Sequence, residues 1–138
     1  MFETGGRRYA CALDAVREIV PLGTAARLPG APPPVVGLIN LRGRLVTVID
    51  LAAQLGARQP GPGWVPRGSI VILGRRDQIV GMLVDEVRDV RPVESGAIEP
   101  MQDAQSDGRD GAVRALARLE DGVATVLDTD AIISAVLQ

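Results

Sequence analysis

Apolar residues along this chain recur mostly at every second position, in short runs that end on Gly, Pro or a charged pair. Such alternation is the mark of a strand with one face buried. Phe2–Thr4 and Arg7–Leu13 flank the turn signal Gly5-Gly6. Val36–Leu41 and Arg44–Ile49 flank Arg42-Gly43, where Gly at the second turn position supplies the positive φ that most residues avoid. SIVILGR, starting at Ser69, and IVGMLVDEV, starting at Ile79, predict a second hairpin turning at Arg75–Gln78. Ala112–Leu119 and Val123–Leu127 predict a third, turning on Glu120-Asp121-Gly122. Asp14–Val20 fits either a short helix or a bent strand, since periodicity does not arbitrate over so few residues. Two sites read as helix starts. Asp50 is placed to cap Leu51–Leu55, which ends at Gly56, and Asp128 or Asp130 to cap a last helix running toward Leu137.

The connections are distinct in composition. LPGAPPP, Leu28 to Pro34, holds four prolines that lack a backbone donor, so it reads as a rigid loop and not as strand interior. GARQPGPGWVPRG, Gly56 to Gly68, is Pro/Gly-rich and forms the natural division of the chain. The polar segment PMQDAQSDGRDGAV reads as a mobile loop. Across the division the pattern repeats. Asp14-Ala15-Val16-Arg17-Glu18-Ile19 matches Asp85-Glu86-Val87-Arg88-Asp89-Val90 at an offset of 71, and Thr47-Val48-Ile49-Asp50 matches Thr125-Val126-Leu127-Asp128 at an offset of 78. One insertion, in the loop around Asp103–Gly111, reconciles the two offsets. The expected fold is therefore all-β: one domain of two pseudo-repeats, 1–66 and 67–138, each offering about five strands and an Asp-capped helix. Their lengths and spacing suit two small all-β barrels, not parallel α/β units.

Composition narrows the function. A chain of 138 residues buries roughly 70% of its unfolded surface and needs neither disulfide nor metal to fold. Its apolar residues are nearly all aliphatic, Phe2, Tyr9 and Trp64 being the only aromatics. All 15 basic residues are Arg, and a net charge of −2 gives no overall attraction to nucleic acid or anionic lipid. Cys11 is the single cysteine, which fits a reducing compartment, and its alternating surroundings read as a small buried hydrophobe. No leader-like h-region and no membrane-length apolar run is present, so the expected location is cytoplasmic, without direct membrane insertion.

Catalytic chemistry is poorly supplied. Without histidine the usual triads, the commonest general base and most transition-metal sites are missing. There is no Walker A sequence, no G-x-G-x-x-G after a strand and no G-x-S-x-G. Asp85, Glu86 and Asp89 cluster, but no second carboxylate group stands ready to complete a dyad, so they read as a solvated strand end. Arg7, Arg8, Arg42, Arg44, Arg75 and Arg76 sit at turns, yet a single-strand site also needs stacking aromatics. The expectation is a protein-interaction module with no catalytic residues, no metal, no cofactor and no nucleic-acid partner.

GLINLRGRLVTVIDL, Gly37 to Leu51, resembles the signature of the CheW-like domain of bacterial chemosensory systems. The resemblance extends through GGRRYACALDAVREIVPL and LPGAPPPVVG on one side, and IVGMLVDEVRDV and LEDGVATVLD on the other, covering essentially the whole chain. It implies two five-stranded barrels of OB or Src-homology type around a shared hydrophobic core, with strands open to exchange between them. It also implies a non-catalytic adaptor that bridges the cytoplasmic tip of a chemoreceptor to the regulatory domain of a CheA-type histidine kinase in membrane-associated arrays. A divergent member would instead bind a kinase regulatory domain in a pilus or gliding pathway. Carried over by position, the receptor-binding groove would use Val16, Glu18, Asn40 and Arg42, while Gly37, Gly43, Asp50 and Asp128 would serve as structural turns or caps. An apolar strip with a few charges suits an amphipathic helical hairpin, and Arg42 can fork onto a carboxylate. The sequence departs from the family pattern at Thr47, where many relatives have Pro, and in the short stretch Met1–Thr4 before Gly5-Gly6.

Overall fold

The computed structural model describes residues 1–22, 26–27, 34–56, 66–100 and 112–137. Most of the proline loop, most of the Gly56–Gly68 connection and the polar segment 101–111 lie outside the described residues. In chain order the strands are β1 (Phe2–Thr4), β2 (Arg7–Ala10), β3 (Val16–Pro21), β4 (Ala26–Arg27), β5 (Val35–Leu41) and β6 (Arg44–Asp50), followed by helix α1 (Leu51–Gln54). Then come β7 (Ser69–Arg75), β8 (Gln78–Val84), β9 (Glu86–Val87), β10 (Ile98–Pro100), β11 (Val113–Leu119), β12 (Gly122–Leu127) and helix α2 (Thr129–Val136). The ambiguous Asp14–Val20 resolves into a 3-10 turn at Leu13–Ala15 and the strand β3, which pairs antiparallel with β7. β-branched Val16, Ile19 and Val20 favour that outcome.

The strands form two sheets, ordered β10-β11-β12-β2-β1-β9 and β3-β7-β8-β6-β5-β4. Exchanging each strand for the one six places away along the chain turns the first order into the second read backwards. In each sheet one central pair is parallel: β12 with β2, and β6 with β8. Hairpin β1–β2 sits among β9–β12, and hairpin β7–β8 sits among β3–β6. Neither sheet takes its strands from one matching half in the order of the chain. The chain is all-β as expected, with short Asp-capped helices. Among the described residues each sheet has six strands, the about five expected plus an edge added by the very short β4 or β9, which leave little pattern in the sequence.

The main core lies between the sheets. Phe2 and Tyr9 from one meet Val71, Leu73, Val80, Met82 and Val84 from the other, with Leu51 of α1 and Ile132 and Ile133 of α2 closing over them. The rings of Phe2 and Tyr9 stack at 6.5 Å, so two of the three aromatics anchor this contact. A second core, including Val36, Ile39, Val46, Ile70 and Ile72, lies on the other face of the β3–β8 sheet. Strands β7 and β8 are thus buried on both faces: Val71 and Leu73 serve one core, Ile70 and Ile72 the other. That double burial is why their apolar runs are continuous while other strands alternate. No helix among the described residues is long and apolar enough to cross a membrane.

Candidate functional site: an apolar groove between the sheets

The sheets meet along the core and part at one side into a groove of about 510 Å³. Val16 and Ile19 of β3 and Val71 of β7 form one wall, and Phe2, Val87 and Val126 belong to the other. Of the seven large apolar side chains left exposed among the described residues, four line this groove: Leu13 at 62%, Ile19 at 50%, Val90 at 70% and Ile98 at 37%. Exposed apolar side chains gathered along one cleft mark an interaction surface, whereas the same residues scattered would not.

A β-bulge decides which predicted residues enter the groove. Val16 pairs with Leu73 and Glu18 with Ile72, so Arg17 is the extra residue on β3. Leu73 belongs to the core between the sheets and Ile72 to the second core. In a regular strand Val16 and Glu18 would share a face. With the bulge they face opposite ways. Val16 packs against the shared core and lines the groove, while Glu18 turns toward the tip of hairpin β5–β6. There Arg42 Nη1 and Nη2 donate to the Glu18 carboxylate, the second contact at 3.5 Å, with the Arg42 side chain 76% exposed. Asn40 Oδ1 accepts from the Gly43 N–H at 2.7 Å and closes the turn. Glu18, Asn40 and Arg42 therefore come together as one polar end of the β3–β8 sheet, and Val16 stands apart from them.

The turn between β5 and β6 is tighter than its single glycine suggests. Arg42 has φ 52° and Gly43 φ 85°, so both central residues are left-handed, as a two-residue hairpin of this twist requires. Arg42 tolerates that conformation at a cost of about 1 kcal/mol. Arg17 and Arg44 reach across to the β7–β8 tip, donating to the Arg76 and Asp77 carbonyls. Asp50 and Asp128 cap their helices as the sequence indicates, accepting from Ala53 N at 3.2 Å and Ala131 N at 3.1 Å. Gly37 is the exception among the turn and cap residues. It lies inside β5, buried, opposite Val48 at a second bulge, and makes no turn.

Charge gathers on the first-sheet rim of the groove. Arg88 is bound to Glu3, and Arg91 bridges Asp89 and Asp121 at 3.0 Å each. The Arg91 guanidinium, joined by Arg8 at 3.1 Å from the same carboxylate oxygen, holds the Asp121 carboxyl below the usual carboxylate range. Cys11 lines the groove with its thiol pushed up by burial. The Asp85–Glu86–Asp89 cluster is divided among structural tasks: Asp85 Oδ2 accepts from Gly5 N at 3.0 Å, Glu86 pairs in β9 and Asp89 holds Arg91. Sequence reading overlooked the groove residues Leu13, Ile19, Val90 and Ile98. Their only signal is a large apolar side chain beside a proline or a charge, which is too common to single out.

The CheW-like domain family model matches residues 1–137. "Chemotaxis protein CheW" of Rhizobium meliloti is 31% identical over 131 residues, covering 95% of this chain and 83% of that protein. The protein of the same name from Bacillus subtilis is 30% identical over 133 residues, covering 96% of this chain and 84% of the relative. The crystal structure of the scaffolding protein TtCheW from Thermoanaerobacter tengcongensis is similar, with a TM-score of 0.77 and 27% identity over 92% of this chain and 80% of that one. Two sheets with an apolar groove between them agree with these relatives, and the chain belongs to the CheW-like domain family of chemotaxis scaffolds.

Proposed function

We propose that this chain is a cytoplasmic adaptor that couples the cytoplasmic tip of a chemoreceptor to the regulatory domain of a CheA-type histidine kinase. The observation that carries the reading is the groove, whose exposed Leu13, Ile19, Val90 and Ile98 form an apolar strip of the kind a helical hairpin buries. Val16 contributes the wall next to the bulge. Glu18, Asn40 and Arg42 continue the receptor contact along β3 and the neighbouring tip, where the half-free Arg42 guanidinium offers a fork for a carboxylate. No bond is made or broken. The adaptor acts by holding kinase and receptor in one assembly, so that a small receptor shift biases the kinase.

The test is a three-component titration with the isolated kinase regulatory domain and a receptor-tip fragment from the same organism. Saturable binding of both at once is the expected result, with Glu18→Lys or Arg42→Ala weakening the receptor and leaving the kinase untouched. Binding of the kinase alone would assign the chain to a pathway without receptor coupling, and binding of neither would remove the adaptor reading.

A further inference from the structure

The two sheets carry the same bulge opposite the end of the strand that leads into each capped helix. In β5, Val35 pairs with Ile49 and Gly37 with Val48, leaving Val36 as the extra residue. In β11, Val113 pairs with Leu127 and Ala115 with Val126, leaving Arg114. The helix caps Asp50 and Asp128 follow Ile49 and Leu127 directly, so the two bulged positions correspond. Their side chains do opposite things. Val36 is buried in the second core, whereas Arg114 is exposed and lines the groove. A bulge re-aims a side chain, and here the same device points an aliphatic group inward in one sheet and a guanidinium into the groove in the other.

Arg114 is also the uncommitted cation of that groove. The other two guanidiniums on its lining, Arg88 and Arg91, are neutralised by Glu3, Asp89 and Asp121. Among the described residues Arg114 makes no ion pair and no side-chain hydrogen bond. Fold stability therefore gains nothing evident from it, and its five donors are left for a partner that enters the cleft.

We infer that Arg114 is a specificity contact of the groove, receiving a carboxylate carried by the helical segment that docks there. The inference rests on the proposed docking of a receptor hairpin and adds what that hairpin must present: an Asp or Glu on the face otherwise apolar, at the register of the β11 bulge. An arginine fork takes a carboxylate in two parallel bonds, which fixes the rotation and height of the bound helix as well as adding affinity. Lysine would keep the charge and lose the fork.

The experiment titrates the receptor-tip fragment against wild type, Arg114→Ala, Arg114→Lys and Arg114→Glu at low and moderate salt. Arg114→Ala is expected to weaken binding about tenfold and Arg114→Glu more, with a shallower salt dependence in both. Arg114→Lys is expected to recover only part of the loss. Thermal unfolding is expected to stay unchanged in all of these variants, since the side chain is exposed and unpaired. Reversing each acidic residue of the hairpin in turn should identify one Glu or Asp to Arg change that restores binding to Arg114→Glu alone. Wild-type affinity and salt dependence in Arg114→Ala and Arg114→Glu would overturn the inference while leaving groove docking intact. Failure of wild type itself to bind the fragment would overturn the docking and the inference together.

Discussion

Ile19 gives the sharpest test of the groove as a docking surface. It is 50% exposed on the edge strand β3, and full burial of an isoleucine side chain stabilises by roughly 1.5–3 kcal/mol. A partner that covers the remaining half gains about 1 kcal/mol from it, so Ile19→Ala is expected to raise Kd about fivefold. Leu13, 62% exposed, carries a similar share. The double variant should lose about 2 kcal/mol, or roughly thirtyfold, if the two contacts are independent. Val123 is the matched control, 51% exposed near the β11–β12 tip and off the groove. Isothermal titration of the receptor-tip fragment measures all three, and the negative heat-capacity change of binding should shrink in the groove variants only. Equal effects of Val123→Ala and Ile19→Ala, or no effect of Ile19→Ala, would refute the reasoning.

Other consequences follow from packing and capping. A Cβ on Gly81 would stand 2.9 Å from Ile70 Cγ2 and 3.0 Å from Val48 Cγ2, so Gly81→Ala is expected to destabilise by about 1–2 kcal/mol in urea unfolding, with Ile70→Leu relieving part of the loss. An unchanged midpoint would show that the sheet yields there. Asp128→Ala removes the α2 cap and is expected to cost about 1 kcal/mol, most of it regained in Asp128→Asn, since Ile132 and Ile133 on that helix are fully buried. Burial raises the Cys11 thiol, so the reactive thiolate should appear only at a pH above that of an unfolded cysteine, and denaturant should shift the alkylation profile to lower pH.

How far the fold could be read from the sequence depended on whether the cause was local. Hairpins β5–β6, β7–β8 and β11–β12 were visible because turn chemistry and alternation lie within a few residues of each other. The Asp50 and Asp128 caps were visible for the same reason. Strands β9 and β10 were not, because two or three residues carry no period and their pairing is set by β1 and β11. Nothing local announces that β2 lies parallel to β12 and leaves β3 for the other sheet. The site divided along the same line. Val16 and Glu18 look like one face at a spacing of two, and only the ladder shows that Arg17 is bulged out between them. Arg114 went unnoticed because its meaning lies in a comparison with Val36, made possible by two registers.

The claim that a partner helix occupies the groove can be measured at one atom. Cys11 is the chain's single cysteine and is one of the residues that line the groove. Its rate of alkylation should fall at least about tenfold when the receptor-tip fragment is added at saturation, as contact excludes the reagent from the local cleft. Binding of the fragment with an unaltered Cys11 rate would place the partner elsewhere and contradict the assignment of the groove.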